Sequence, residues 1–141
     1  MIAVALIYQG TDVLVMAVKD DAGAVKGWRP LGGAIEFGES AEEAVAREVL
    51  EEIGRHVRCV KQLCVLENLY SHEGARGHEV VFAFEAELLE RGLEPTITSS
   101  FVDGGVTNHV AWRPVSEFVK GSQCLFPEKL VNYLPQSARS G

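Results

Sequence analysis

The hydrophobic pattern opens with two apolar runs of strand length, Ile2–Tyr8 and Val13–Lys19, separated by Gln9-Gly10-Thr11-Asp12. This predicts two strands joined by a hairpin turn. Asp20–Gly27 is polar and predicts a loop, while Trp28–Leu31 and Ala34–Phe37 flank Gly32-Gly33 and predict two short extended pieces. Ser40 followed three residues later by Glu43 is a capping-box pattern, so a helix should begin just after Ser40. Ala41, Ala44, Val45, Ala46, Val49, Leu50 and Ile53 supply its apolar side, and Gly54 falls where a left-handed C-cap belongs.

Beyond that helix, His56–Tyr70 predicts one long strand or two short ones, and Ser71–Gly77 a polar loop. His78–Leu88 is β-rich, with Val80, Phe82, Phe84 and Ala86 alternating on one face. Ser99–Asn108 reads as a loop and Asn108–Val115 as a further strand. Pro127 is placed to open a final helix whose buried side is Leu130, Val131 and Leu134. Strands dominate, with one helix among them and one at the end, which predicts an α+β fold with a mixed sheet covered by helices. With no internal repeat or long linker, residues 1–141 read as one domain with a single core.

Charge and composition narrow the chemistry. A net charge of −7 without a basic stripe argues against a broad nucleic-acid footprint, so no stable nucleic-acid binding is expected. The apolar N-terminal run has no basic leader and is too short for a signal peptide or membrane span. Cys59, Cys64 and Cys124 show no metal-type or C-x-x-C spacing. An odd number with no secretion signal predicts free thiols and a cytoplasmic protein.

The candidate chemistry sits on the central helix. Glu48, Glu51 and Glu52 are related by i, i+3 and i+4 spacing and fall within an arc of about 100°. Three carboxylates so close repel one another, and a divalent cation relieves that repulsion. Hard carboxylate oxygens suit Mg²⁺, with Mn²⁺ as an alternative, and Glu39 on the preceding loop can add a fourth carboxylate.

Read together, Gly33, Glu39, Arg47, Glu48, Val49, Glu51, Glu52 and Gly54 fill the pattern G-x5-E-x7-R-E-U-x-E-E-x-G, with U aliphatic. This resembles the Nudix box of the Nudix hydrolases. A chance match in so short a chain is well below about 1 in 10⁶ on average composition, so a merely acidic helix face is a poor explanation. The resemblance implies an α/β/α sandwich containing the Nudix helix and a C-terminal helix. It also implies Mg²⁺-dependent hydrolysis of the pyrophosphate linkage in a nucleoside diphosphate derivative: a nucleoside triphosphate, a nucleotide sugar or a dinucleoside polyphosphate.

Carried over residue by residue, the resemblance makes Glu48 and Glu52 the principal metal ligands. Glu51 shares that work directly or through water, and a carbonyl of the Gly32-Gly33 pair completes the site. Arg47 pairs with a neighbouring glutamate and orients it. Glu48 and Glu51 are general-base candidates within the box, and Glu79 or Glu73 outside it. Trp28, Tyr70, Phe101 and Trp112 are candidates for stacking a nucleobase, against the plainer role of packing. The four histidines show no metal-ligand spacing. The family often dimerises, so the resemblance allows a homodimer. The alternatives are a catalytically silent Nudix-fold nucleotide sensor and an acidic protein acting only through protein contacts, which would leave the arginine and glycines unexplained.

Overall fold

The computed structural model describes residues 1–72, 74–89, 99–103 and 106–135. Its elements are β1 (Ile2–Gln9), β2 (Asp12–Lys19), β3 (Val25–Ala34), α1 (Ala41–Ile53), β4 (Val57–His72), β5 (Ala75–Leu88), β6 (Ser99–Asp103), β7 (Val106–Pro114), α2 (Val115–Lys120) and a 3₁₀ helix (Glu128–Tyr133). This strand-rich content with few helices is that of the expected α+β class. The chain forms two compact units, residues 1–6 with 31–90 and residues 7–30 with 91–141.

In the first unit the strands lie in the order β4-β5-β1-β3. β4 and β5 make a long antiparallel hairpin from Val57↔Leu88 to His72↔Ala75, with register shifts at Cys59/Lys61 and Gln62/Cys64. The hairpin therefore extends through most of Ser71–Gly77, which the polar composition had suggested was loop. Burial on β5 is also not confined to one face. Val81 and Ala83 are as buried as Phe84 and Ala86, whereas Phe82 and Val80 are half-buried. A strand covered on both sides loses the simple alternation expected of one facing solvent.

The glycine pair does not divide β3. Gly32 pairs with Val4 and Gly33 with Ala3 near the end of a single strand that also takes in Val25–Gly27, expected to be loop. Gly32 has φ 144°, and a Cβ there would lie 2.1 Å from the Ala3 carbonyl oxygen. Glycine here permits two backbones to approach more closely than side chains allow. Ile35–Phe37, by contrast, leaves the sheet and leads into a turn.

α1 begins and ends as its sequence dictates. The Ser40 hydroxyl accepts from Glu43 N at 3.1 Å, the Glu43 carboxylate accepts from Ser40 N at 2.8 Å, and Gly54 closes the helix at φ 67°. The helix packs against β4. Its buried residues are Ala44, Val45, Val49 and Glu52. Burying each valine contributes roughly 1.5–3 kcal/mol. Leu50, expected inside, is 42% exposed, and Ala46 is exposed too, whereas Glu52 is only 8% exposed. Hydrophobicity alone assigned that face incorrectly because a carboxylate occupies it.

In the second unit β2 pairs with β3 on one side and β7 on the other, and β6 pairs with β7. β6 and the start of β7 replace the loop expected over Ser99–Asn108. The β1–β2 hairpin pairs Tyr8 with Val13, as the pattern indicated, and Val13–Met16 is fully buried. α2, not foreseen from sequence, packs against β7 with Val115 and Phe118 buried. The final helix is a short 3₁₀ turn that buries Leu130, with Leu134 buried at its end and Val131 half-buried.

Trp28 anchors residues 123–126 in this unit. Its N–H donates to the Cys124 carbonyl at 2.9 Å, its carbonyl accepts from Phe126 N at 2.8 Å, and its indole Nε1 donates to Gln123 Oε1 at 3.2 Å. Arg113 lies 5.5 Å over its ring. Among the described residues, no helix is long and apolar enough to cross a membrane.

Candidate active site

Arg47 is the organising residue of the first unit's acidic face. From the second turn of α1 its guanidinium grips Glu39 bidentately, Nε to Oε2 at 2.7 Å and Nη2 to Oε1 at 3.0 Å. Nη1 donates to Glu48 Oε1 at 2.7 Å and to Glu51 Oε1 at 3.2 Å, with Glu36 at 3.7 Å. Nη2 also donates to the Ala34 carbonyl at 2.8 Å. Planar fork geometry allows one cation to serve several carboxylates, which a lysine point charge does poorly. Arg47 bonds its neighbour Glu48 and also Glu39 and Glu51. Its reach to Ala34 and Glu36, across the loop, has no signal in the spacing.

The electrostatics follow from this grip. The Arg47 guanidinium, helped by the Glu36 N–H, holds the Glu39 carboxyl at about 2, below the usual 4.5. Reciprocally, hydrogen bonding from Arg47 to Glu39 raises the arginine's own pKa further, despite opposing desolvation. The loop is also closed locally, since Glu39 Oε1 accepts from Glu36 N at 3.1 Å and Glu39 N donates to Glu36 O at 3.0 Å.

Glu52 faces the other way. Its buried carboxylate accepts from Gly32 N at 3.0 Å, tying the end of α1 to β3. Gly33 lies against Glu48, and a Cβ there would fall 2.2 Å from Glu48 Oε2. The two glycines thus have different tasks, Gly32 admitting the β1 backbone and Gly33 admitting a carboxylate. Glu39, Glu48, Glu51, Glu52 and both glycines are linked by direct contacts through Arg47, Gly32 N and the Gly33–Glu48 approach.

The donor chemistry fits a hard divalent cation, with carboxylate oxygens over a glycine backbone that leaves Glu48 Oε2 seated where any other residue would intrude. Among the described residues, no three acidic, histidine or cysteine side chains already converge in ligating geometry. Arg47 Nη1 is instead the point on which Glu48 and Glu51 meet.

The remaining candidates make other contacts. Glu79, on β5 opposite Asn68, accepts from Asn68 Nδ2 at 3.1 Å. Glu73 and the side chain of Phe101 lie outside the described residues. Trp28 is committed to its clip in the second unit, and Trp112 is half-buried on β7 opposite Leu14. Tyr70 is exposed on the β4–β5 hairpin. His78 bonds Glu67 at 2.8 Å. The three cysteines form no disulfide, as expected, and burial, with a smaller effect from Glu42, pushes the Cys59 thiol up. Arg55, at the end of the box, is half-buried and donates to the Gly54 carbonyl at 3.4 Å.

Comparison with solved structures places this fold among known ones. A UDP-X diphosphatase is 18% identical with a TM-score of 0.61, over 95% of this chain but only 58% of its own length. A MutT Nudix hydrolase from Burkholderia pseudomallei is 25% identical, over 81% of each chain, with a TM-score of 0.59. An ADP-ribose pyrophosphatase from Streptococcus suis is 18% identical, over 99% of this chain and 88% of its own, with a TM-score of 0.58. The family model for the NUDIX domain matches residues 1–134, a span that takes in the whole Arg47 network and its two glycines. The chain therefore belongs to the Nudix hydrolase family.

Proposed function

We propose that this protein is a Mg²⁺-dependent pyrophosphohydrolase of nucleoside diphosphate derivatives, cutting the phosphoric anhydride by attack of water on phosphorus. The observation that carries the reading is the paired seating of Glu52 on Gly32 N and of Glu48 against Gly33, with Arg47 between α1 and the loop. Glu48, Glu51 and Glu52 would hold the ion together with the Gly32 carbonyl. When bound, a divalent ion offsets phosphate charge and makes an attacking water easier to deprotonate. Both Glu39 oxygens are committed to Arg47, so in this reading Glu39 anchors the arginine and is not a ligand.

Arg47 holds Glu51 by both oxygens and Glu48 by Oε1 alone, whereas Glu79 is steadied by a neutral amide. The candidate bases are Glu79, Glu51 and Glu48, the last through Oε2. The same reading takes residues 1–141 as one Nudix domain acting in the cytoplasm.

The test is phosphate release from a panel of nucleoside triphosphates, nucleotide sugars and dinucleoside polyphosphates, coupled to a phosphatase, with Mg²⁺ and with EDTA. Metal-dependent turnover of one class supports the proposal and fixes the substrate. No turnover across the panel, with Mg²⁺-dependent nucleotide binding retained, would show a sensor.

A further inference from the structure

β4 is the outermost strand of its sheet, with β5 on one side. Among the described strands none lies on the other side, so its outer N–H and C=O groups form a row open to a further strand. At 16 residues it is far longer than the roughly 5–6 of an average strand. Edges of this kind are normally blunted by bulges, charges or proline.

The two halves of β4 differ in that protection. Register shifts fall at Cys59/Lys61 and Gln62/Cys64, and the basic residues Arg58 and Lys61 stand in the same half. From Cys64↔Ala83 to His72↔Ala75 the pairing with β5 runs without a shift, over a sequence holding no lysine, arginine or proline. Its one carboxylate, Glu67, is bonded to His78 of β5 at 2.8 Å. This run also presents Val65 at 49% exposure and Leu69 at 71%, with Tyr70 exposed between Leu69 and Ser71. An unbroken, apolar and weakly charged edge is the kind that recruits another strand.

Symmetry picks out a second copy of the same run as the strand that fits. Two β4 edges meeting antiparallel are related by a two-fold axis, and directly opposite side chains share a face. One residue must therefore stand opposite its own copy. With Asn68 in that place the whole Cys64–His72 run overlaps, nine residues or about 30 Å, and any other centre shortens it. This register sets Glu67 opposite Leu69 of the second copy, whereas centring on Glu67 would set two carboxylates face to face. It also sets Asn68 against Asn68. That side chain gives one N–H to Glu79 at 3.1 Å, and an amide has a second N–H and a carbonyl oxygen through which two copies bond each other. We propose that this protein self-associates through β4, the Cys64–His72 segments of two copies pairing antiparallel about Asn68.

The pairing involves neither metal nor substrate, so its test is independent of the hydrolysis panel. Sedimentation equilibrium of the whole chain under reducing conditions, from micromolar to near-millimolar, should show a mass rising from 15.4 kDa towards twice that value and no further. Leu69→Asp places like charges opposite each other, and Leu69→Lys places opposite charges there, at two symmetric points per dimer. The lysine variant should therefore associate about 2- to 30-fold more tightly than the aspartate variant. Val60 is exposed on the same strand but outside the paired run, and the same two substitutions there should associate alike. Unchanged thermal unfolding at micromolar concentration establishes that these surface variants fold. A mass of 15.4 kDa at every concentration would overturn the inference and leave the edge to an extended segment of another protein. Growth beyond twice that mass, equal association of the two Leu69 variants, or an equal separation at Val60 would overturn it too.

Discussion

Replacing Gly33 by alanine separates the requirements of the site from those of the fold. The new Cβ would stand 2.2 Å from Glu48 Oε2 and 2.5 Å from its Cδ, more than 1 Å inside an ordinary contact of about 3.5 Å. The obstacle is the end of a side chain, so Glu48 yields by turning away and its 2.7 Å bond to Arg47 stretches or breaks. A partly exposed ion pair of this kind contributes about 0.2–1 kcal/mol. Alanine returns about 0.4–1 kcal/mol by restricting the unfolded chain, because Gly33 does not need a positive φ.

The two terms nearly cancel, so melting should move by no more than about 2–4 °C. A carboxylate displaced by about 1 Å from its working position should nevertheless lower turnover about 10²-fold. Gly32→Ala makes the contrast. Its Cβ meets the Ala3 backbone oxygen at 2.1 Å and its φ is 144°, and nothing there can turn aside. It should lose more than about 3 kcal/mol of stability. Urea unfolding and hydrolysis on the substrate found by the panel measure both. Wild-type turnover in Gly33→Ala, or wild-type stability in Gly32→Ala, would refute this division of labour.

Further tests follow from other contacts. Glu52→Gln keeps an oxygen able to accept from Gly32 N, so it should fold normally yet lose at least about 10² in turnover; retained activity would remove Glu52 from the metal site. The depressed Glu39 carboxyl contributes stability that is fully present above its ordinary 4.5 and lost as pH falls through about 2. Carboxyl NMR should find it titrating near 2, and titration at the usual value would break the Arg47 hub. Cys59 has a raised pKa through burial, whereas Cys124 is exposed. Timed alkylation read by mass spectrometry should therefore label Cys124 before Cys59 at pH 8, and the reverse order would contradict the described packing.

The helix was readable because its signals are local: Ser40, Glu43 and Gly54 each act within one turn. The first hairpin was equally plain from two apolar runs and a glycine turn. What escaped depended on distant partners. Gly32-Gly33 resembled a break until the β1 backbone lay beside it, and Leu50 resembled core until Glu52 took the inward position toward Gly32. Ser99–Asp103 carries too few apolar residues to announce a strand and becomes one by pairing with β7. Glu39, Glu48, Glu51 and Glu52 stand in the motif, whereas Glu36 does not. That one arginine holds three of them was not visible there, because Glu39 and Arg47 are brought together by the Ser40 cap and the start of α1 between them.

The Trp28 clip sets a condition on biosynthesis. Trp28 is joined to residues 123–126, with the indole bond to Gln123 spanning 95 positions of sequence. A ribosome emits the chain from its N-terminus at about 5–20 residues per second, so β2 and β3 emerge seconds before their C-terminal partner. During that interval the β3 edge at Trp28 has open backbone groups and an uncovered indole, the kind of surface that invites chaperones or aggregation. Release of the C-terminal segment is what ends the exposure.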